Sequence, residues 1–261
     1  MIEITSADNP RYRQLLRLLD SGRERRKSGL TLLDGAHLVQ AYREHAGAPD
    51  ELVVSRTGAG RPEVQALLAA HGERALLLSD ALFRTLSTVD TPTGIMALVR
   101  VPPSRAPDPD IRSCVVLDGV QDPGNLGSIL RSAAAAGVRD VLLASGCAQA
   151  WSPRVLRAGM GAHFALRLYE QCDIAAFARR YAGRLLATVR DEAASVFETD
   201  LRGDVALLFG SEGSGVSPAL LKAAHARMSI PMPGDAESLN VAAAAAVCLF
   251  ERVRQLRAVA R

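Results

Sequence analysis

The chain has 261 residues, 48% of them hydrophobic and 23% charged, and a formal net charge of +3 at pH 7. Such a composition supports a packed core and excludes an intrinsically disordered protein, and the length allows one large domain or two modest ones. No apolar run is long enough to span a bilayer, and the amino terminus lacks the basic-then-apolar pattern of a signal peptide. The sequence therefore predicts a cytoplasmic protein without a membrane segment.

The cysteines also argue against a metal site. The chain has four, scattered at Cys114, Cys147, Cys172 and Cys248. No Cys-x-x-Cys or His-x-x-x-His spacing occurs, so neither a zinc site nor a disulfide framework is indicated. We expect no metal.

Strands and helices alternate through the first 100 residues, which indicates a small α/β unit. Helices are predicted at 11–19, 36–44, 62–71 and 80–86. Strands are predicted at 30–33, 51–55, 75–78 and 95–101. Residues 23–29, a basic segment next to a glycine, are predicted to form a loop.

Positive charge is concentrated between residues 11 and 27, where seven basic residues outnumber two acidic ones. A local excess of this kind suits a phosphate backbone, although a solvated helix face is an equally simple explanation. The candidate RNA-binding residues are Arg11, Arg23, Arg25, Arg26 and Lys27.

A proline-rich stretch divides the chain. Residues 101–113 contain four prolines and no apolar periodicity, as expected of a semi-rigid linker. We predict an amino-terminal domain at 1–100, a linker at 101–112 and a second domain at 113–261.

The second domain is predicted to contain three corners in which a strand is followed by a glycine-containing loop and a helix. They lie at 118–128, 210–217 and 228–241. Neither the G-x-G-x-x-G pattern nor a P-loop is present, so a standard dinucleotide or P-loop site is not indicated. Strands predicted at 114–117 and 205–209 precede the first two corners, and a strand predicted at 228–232 opens the third. Another strand is predicted at 163–169. Three corners at the carboxyl ends of strands fit a single ligand crevice in an α/β fold.

The third corner is predicted to bind a ligand through its main chain. Pro231 and Pro233 stop the strand, a turn follows, and Ser238 is placed as the N-cap of an alanine-rich helix. A backbone of this kind leaves N–H and C=O groups free to bind a small polar molecule, although an ordinary strand–turn–helix corner without a ligand has the same sequence pattern.

Together the corners resemble the TrmH/SpoU family of RNA ribose methyltransferases, within the SPOUT superfamily. The similarity extends over about residues 114–255. The matching residues are Asn125, Gly127 and Arg131 in the first corner, Gly210, Glu212 and Gly215 in the second, and Ile230, Pro231, Met232, Gly234, Ser238, Leu239, Asn240 and Val241 in the third. The amino-terminal part is similar to the family's L30e-like RNA-binding domain. Two departures are Asp34, where glutamate is more usual, and Ala242, which is often serine.

This resemblance implies an α/β fold in which the carboxyl-terminal SPOUT domain forms a deep trefoil knot. It also implies a homodimer that uses S-adenosylmethionine to methylate a ribose 2′-hydroxyl, with ribosomal RNA as the expected substrate. The implied catalytic residues are Arg131, Asn125, Glu212, Ser238 and Asn240, and the resemblance implies that Asn125 and Glu212 hold Arg131. The implied cofactor-binding residues are Gly210, Ile230, Met232 and Leu239.

Arg131 could act either as a base or as a clamp for the substrate. The family analogy makes it the group that deprotonates the hydroxyl, whereas its ordinary pKa of about 12 or more favours a clamp that positions the ribose and its phosphate. Alternative hypotheses for the function are a transfer RNA methyltransferase, a non-catalytic RNA-binding assembly factor and an antibiotic-resistance methyltransferase. The separate amino-terminal domain favours ribosomal RNA, and the retained polar residues argue against a non-catalytic protein.

The last helix supports the expected homodimer independently. From residue 239 to 259 it carries more apolar residues than a single stripe facing its own core requires. A second copy of the same surface is the commonest way to bury such a surplus.

Overall fold

The computed structural model describes residues 1–71, 74–190 and 193–259, which form two compact units. Unit 1 comprises Met1–Pro103 together with Trp151–Phe164. Unit 2 comprises the remainder, Ser104–Ala150 and the chain from Ala165 onward. The sequence-based division assigned residues 151–164 to the second domain, whereas the structure packs them with unit 1.

Unit 1 is built on a five-stranded sheet with the order β1-β4-β3-β5-β2. Its strands are β1 Ile2–Ile4, β2 Leu30–Asp34, β3 Glu51–Ser55, β4 Ala75–Leu78 and β5 Ile95–Arg100. Strand β5 runs antiparallel to both β3 and β2, whereas β1, β4 and β3 pair in parallel, so the sheet is mixed, as the alternating pattern predicts. Its helices are α1 Pro10–Asp20, α2 Gly22–Ser28, α3 Ala36–Ala46, α4 Pro62–His71 and α5 Asp80–Leu86.

Helix α1 follows directly from its sequence pattern. The side chain of Asn9 caps it by accepting from the backbone N–H of Arg11 at 2.8 Å, and proline occupies the first helical position. Tyr12, Leu15 and Leu18 lie on one face and are buried in the core of the unit. This spacing is the helical periodicity that the sequence shows.

The basic segment that we predict as a loop is in fact the helix α2. Ser21 caps its start by accepting from the N–H of Glu24 at 3.2 Å, and Gly29 ends it in the left-handed conformation, with φ of 66°. Arg25 is buried and donates to the carbonyl oxygens of Leu18 at 2.6 Å and Leu19 at 2.9 Å. The prediction was wrong because two caps and this contact with α1 stabilise a helix that has no apolar stripe of its own.

Unit 2 contains a seven-stranded, wholly parallel sheet with the order β10-β12-β9-β11-β6-β7-β8. Its strands are β6 Cys114–Asp118, β7 Asp140–Ala144, β8 Arg167–Cys172, β9 Arg184–Val189, β10 Ala194–Ser195, β11 Val205–Gly210 and β12 Ala226–Ser229. Strands β6, β7 and β11 are buried along nearly their whole length, as expected when helices cover both faces of a parallel sheet.

Helix α6, Pro123–Ala135, begins inside the first predicted corner, 118–128. Asp122 caps it by accepting from the N–H of Asn125 at 2.7 Å, so the first glycine-containing corner is the amino-terminal turn of a helix and not a loop. The strand predicted at 163–169 is also displaced, since a 3-10 turn occupies Ala162–Ala165 and β8 begins at Arg167. Strand β12 ends at Ser229, before the predicted end at residue 232.

The segment 151–164 forms helix α7, Pro153–Gly159, and packs on β2 within unit 1. The hydroxyl of Thr31 donates to the carbonyl oxygen of Trp151 at 2.7 Å, and the Trp151 ring lies 5.5 Å from that of His163. At the end of the segment, Phe164 makes an edge-on contact with Tyr42 of α3. The segment is therefore part of the core of unit 1.

The remaining helices, all in unit 2, are α8 Ile174–Arg180, α9 Pro218–Ala223 and α10 Val241–Val259. Helix α10 packs on α6 and β11, with Ala245, Cys248 and Leu249 fully buried. Across the described ranges of the chain, no helix combines the length and apolarity needed to cross a membrane.

Candidate active site

A pocket of about 650 Å³ lies at the carboxyl edge of the parallel sheet in unit 2. Because all the strands run the same way, the loops that follow β9, β11 and β12 meet at this edge. The wall is formed by residues 188–190 at the end of β9, by Leu221, and by residues drawn from 209–216 around the end of β11, from 227–232 around the end of β12 and from 237–244 at the start of α10. A cavity of this volume is in the usual range for a small-molecule ligand.

The second corner is a tight hairpin whose closure requires glycine. Ser211 and Gly215 exchange two backbone hydrogen bonds of 3.0 and 3.1 Å. The chain returns so closely that a Cβ atom on Gly210 would lie 1.9 Å from the carbonyl carbon of Gly215. Only glycine fits at position 210, so the pocket is bounded here by bare backbone.

Glu212, in this hairpin, joins the second corner to the first. Its carboxylate accepts from the side-chain amide of Asn125 at 2.9 Å, with longer contacts of 3.4 Å from the N–H groups of Gln121 and Asp122. Partial burial acts to raise the pKa of Glu212, but these hydrogen bonds together outweigh it and lower the pKa below its ordinary value. Glu212 is therefore an ionised group at neutral pH, and its bonding partners are neutral amides.

Asn125 and Asn240 join the first corner to the third. The Nδ2 group of Asn240 donates to Oδ1 of Asn125 at 2.9 Å. The Oδ1 atom of Asn240 accepts from the N–H of Ala242, also at 2.9 Å. Asn240 is thus the N-cap of α10, and the expected N-cap at Ser238 was wrong, because the helix begins at Val241.

Most of the residues predicted for the site lie on the pocket wall, but Asn125 and Arg131 do not. Gly210, Ile230, Met232 and Leu239 line the pocket, together with Glu212, Ser238 and Asn240. Asn125 contributes only through its hydrogen bonds. Arg131 is exposed in the third turn of α6, outside the pocket wall, and makes no hydrogen bond or ion pair with any residue that the structure describes. The expected contact of Arg131 with Asn125 and Glu212 is not present.

Several residues of the site carry no signal in the sequence. Thr188, Val189 and Arg190 line the pocket because β9 lies beside β11, but no glycine or short motif marks that strand end. Arg227 reaches the wall from β12. Asp118, at the end of β6, fixes the chain before α9 by accepting from the N–H of Ser217 at 2.7 Å. Knowledge of the strand order would have placed Thr188, Val189 and Arg190 at the pocket, but no local sequence pattern does so.

The basic residues proposed for RNA binding divide into two groups. Arg11 is engaged in an ion pair of 2.8 Å with Glu51, and the buried Arg25 holds the end of α1. The burial of Arg25 and its hydrogen bonds to the carbonyl groups of α1 argue against a direct contact of this residue with RNA. Arg23, Arg26 and Lys27 are exposed on α2.

The pocket offers a small ligand both apolar surface and backbone hydrogen-bonding groups. Val189, Phe209, Ile230 and Leu239 offer apolar surface for a flat ring, and the backbone of the hairpin and of the stretch before α10 offers hydrogen-bonding groups. Among the residues that the structure describes, no group of three or more His, Cys, Asp or Glu side chains could hold a metal ion. All four cysteines are free thiols.

A parallel α/β sheet with a ligand pocket at its carboxyl edge defines a broad class of nucleotide- and cofactor-binding proteins. Comparison with known families narrows this class. Residues 112–250 match the SpoU rRNA methylase family, and residues 9–97 match the MRM3-like substrate-binding domain. The chain belongs to the SpoU rRNA methylase family.

Individual relatives extend over both units. The 23S rRNA (guanosine(2553)-2′-O)-methyltransferase RlmP of Bacillus subtilis is 30% identical over 261 residues, covering 96% of this chain and 98% of the relative. A solved RNA 2′-O ribose methyltransferase is 36% identical, with a TM-score of 0.83, and the match covers 98% of this chain and all of the other. The SpoU methyltransferase AviRb of Streptomyces viridochromogenes, solved with AdoMet, is 29% identical with a TM-score of 0.86, covering 95% and 98% of the two chains.

Proposed function

We propose that this protein transfers the methyl group of S-adenosylmethionine to a ribose 2′-hydroxyl, with ribosomal RNA as its substrate. The observation that carries the proposal is the hydrogen-bonded chain from Glu212 through Asn125 to Asn240, which holds three corners around one pocket. Each of these residues belongs to a corner that carries the family resemblance. The relatives named above, one of them solved with its cofactor, support the reaction and the cofactor.

The bound cofactor supplies an activated methyl group on a sulfonium, and the protein has to position both reactants. The bare backbone at Gly210 and the stretch before α10 hold the nucleoside part. Glu212 keeps its negative charge beside the pocket, since hydrogen bonds lower its pKa. Holding two reactants in line is itself a large contribution to catalysis, worth about 7 kcal/mol or more in favourable cases.

Arg131 acts on the RNA side of the reaction. It is exposed and takes no part in the hydrogen bonds of the pocket wall, so its guanidinium group is available to the substrate. A fixed positive charge with a planar set of donors suits a phosphate, and an ordinary arginine is a poor base at neutral pH. We assign it the role of clamping the ribose and phosphate of the target nucleotide.

RNA affinity comes in part from α2. Arg23, Arg26 and Lys27 are its exposed cations, and it lies in the unit that matches a substrate-binding domain. Replacing these three residues with alanine should weaken RNA binding and flatten its salt dependence, while cofactor affinity stays unchanged. An unchanged salt slope would mean that α2 presents only a solvated face.

The protein acts in the cytoplasm as a homodimer that forms through α10. This helix buries Ala245, Cys248 and Leu249 in its own unit and leaves Phe250 and Leu256 exposed, at 49% and 39%. Large apolar side chains on the outer face of a helix favour contact with a second copy. Light scattering at micromolar concentration tests this, and a monomer mass would contradict it.

The trefoil knot belongs to the same proposal. Its support is the family resemblance, which places the cofactor inside the knot, and the pocket is bounded by the Ser211–Gly215 hairpin and by the chain that runs from β12 to α10. An experimental structure that traces this part of the backbone without a crossing would contradict the knot.

The decisive experiment is substitution of Arg131. Arg131→Ala should lower methyl incorporation into RNA by roughly a hundredfold or more, and Arg131→Lys should restore little, because a point charge does not reproduce the planar fork. Affinity for S-adenosylmethionine should stay unchanged in both variants. Arg179→Ala, which removes an exposed arginine from α8, is the matched control.

Near-normal turnover in Arg131→Ala would overturn the assignment of this residue. Absence of any calorimetric heat when S-adenosylmethionine is added to the unmodified protein would overturn the enzymatic function itself. Mapping ribose methylation in total RNA from a deletion strain would then identify the modified nucleotide.

A further inference from the structure

Two charged side chains on the pocket wall have no bonding partner within the described part of the chain. Among the described residues, the wall carries four charged ones: Arg190, Glu212, Arg227 and Glu237. Glu212 is held by Asn125, and Arg190 donates to the carbonyl oxygen of Gly213 at 3.1 Å. Arg227 and Glu237 make no hydrogen bond or ion pair with any described residue.

These two residues come from separate parts of the pocket. Arg227 lies on β12, and Glu237 lies in the stretch that leads into α10. They do not form an ion pair with each other, so each charge remains available at the same cavity. A positive and a negative group that both face one pocket match a ligand carrying the opposite two charges.

We propose that Arg227 and Glu237 together recognise the zwitterionic amino-acid arm of the cofactor. The guanidinium group of Arg227 binds the carboxylate, for which its donor geometry is suited, and Glu237 binds the ammonium group. This inference rests on the proposed function, because it assumes that the methyl donor occupies this pocket. Arg227 and Glu237 would fix the amino-acid arm. Because the arm is attached to the sulfonium, they would also orient the methyl group that is transferred.

The two parts of the ligand are bound by different kinds of groups. The adenosine part is held by apolar side chains and backbone, which carry no net charge, whereas the arm is held by side-chain charges. Removing a charge should therefore affect only ligands that possess the arm. S-adenosylhomocysteine and 5′-methylthioadenosine make the comparison direct, since both contain adenosine and a thioether but only the former has the amino-acid arm.

Calorimetry on the purified full-length protein tests the proposal. Arg227→Gln should weaken S-adenosylhomocysteine binding by about tenfold, the effect of losing one charged hydrogen bond, and leave 5′-methylthioadenosine binding unchanged. Glu237→Gln should act in the same direction. Decarboxylated S-adenosylmethionine separates the two roles, because its affinity should fall in Glu237→Gln and stay constant in Arg227→Gln.

Lys222→Gln is the matched control, since it removes an exposed positive charge from α9 next to Leu221 of the wall without touching the pocket. Equal weakening of both ligands by Arg227→Gln would overturn the inference and indicate a structural role. Unchanged affinity for both ligands with reduced RNA affinity would also overturn it, assigning Arg227 to the substrate. If the unmodified protein binds neither ligand, the proposed function fails as well, which is a different result.

Discussion

The two edges of the parallel sheet in unit 2 each carry a hydrogen-bonded carboxylate, but the two carboxylates have different partners. At the amino edge, Asp140 is buried and its two oxygens accept from Arg167 at 2.7 and 2.6 Å, with the hydroxyl of Tyr169 at 3.1 Å. At the carboxyl edge, the hydrogen-bond donors to Glu212 among the described residues are all neutral amides. The first charge is cancelled by a cation, and the second remains.

This difference separates stabilising from functional electrostatics. A buried carboxylate with a bidentate arginine fixes the local structure, but it presents no net charge to a ligand. A carboxylate that accepts hydrogen bonds from neutral amides is equally ordered and keeps its negative charge. This charge can attract a cationic cofactor. Four substitutions or conditions test the contrast.

The largest effect is expected at the carboxyl edge from Gly210→Ala. The new Cβ atom would meet the carbonyl carbon of Gly215 at 1.9 Å, and because both groups are backbone the hairpin has to open. We expect a loss of at least about 3 kcal/mol in the free energy of unfolding and no measurable cofactor binding. Gly213→Ala is the control, since its Cβ would meet no atom within 4 Å. Denaturant melts and calorimetry measure both, and a stable Gly210→Ala that binds cofactor would contradict the close approach.

The second effect is expected at the amino edge from Asp140→Asn. The amide cannot balance the charge of Arg167, whose side chain is 47% exposed and so partly compensated by water. We expect a loss of about 1 to 3 kcal/mol in the free energy of unfolding, with methyl transfer per folded molecule unchanged. Asp200→Asn, which breaks an exposed pair with Arg202, should leave stability nearly unaltered. Reduced turnover in folded Asp140→Asn would show that this edge is coupled to the pocket.

The third effect is expected from Glu212→Gln. An amide in this position places a donor against the donor groups of Asn125, Gln121 and Asp122, and it removes the negative charge. Cofactor affinity should fall by about tenfold while the fold survives, as judged by circular dichroism. Glu198→Gln, an exposed carboxylate outside the pocket wall, is the control. Unchanged affinity in Glu212→Gln would mean that the charge is not used.

The smallest effect is expected from acidification. Hydrogen bonds lower the pKa of Glu212, so its contribution is present above the ordinary carboxyl pKa of about 4.3 and is lost only as pH falls through the lower folded-state value. Cofactor affinity should therefore stay flat from pH 7 to about 5. A decline within this range that disappears in Glu212→Gln would show that the pKa is raised instead.

Local chemistry explains which features were predictable. The buried parallel strands and the glycine corners could be read from the sequence because each depends on residues adjacent in the chain. The helical character of 23–29 could not, since it depends on Arg25 reaching the end of α1. The N-cap role of Asn240 was missed because serine is also a good cap, and the choice is decided by where α10 begins.

The site shows the same division. Gly210, Ile230, Met232 and Leu239 line the pocket as the family resemblance implies. Thr188 and Arg190 are brought there only by the order of the strands, which sequence spacing does not reveal. Arg131 keeps its proposed role, but the expected contact with Asn125 is absent because α6 begins at Pro123 and places Arg131 about 9 Å further along the helix axis.

The position of Trp151–Phe164 affects how this protein can be divided or recombined. The segment belongs to the core of unit 1, yet in the chain it lies between β7 and β8 of unit 2. A fragment that ends in the proline-rich linker would lack the carbonyl group that Thr31 bonds and the ring that Phe164 places against Tyr42. Replacement of unit 1 in this protein, in evolution or by engineering, must therefore transfer two separated pieces of the gene together.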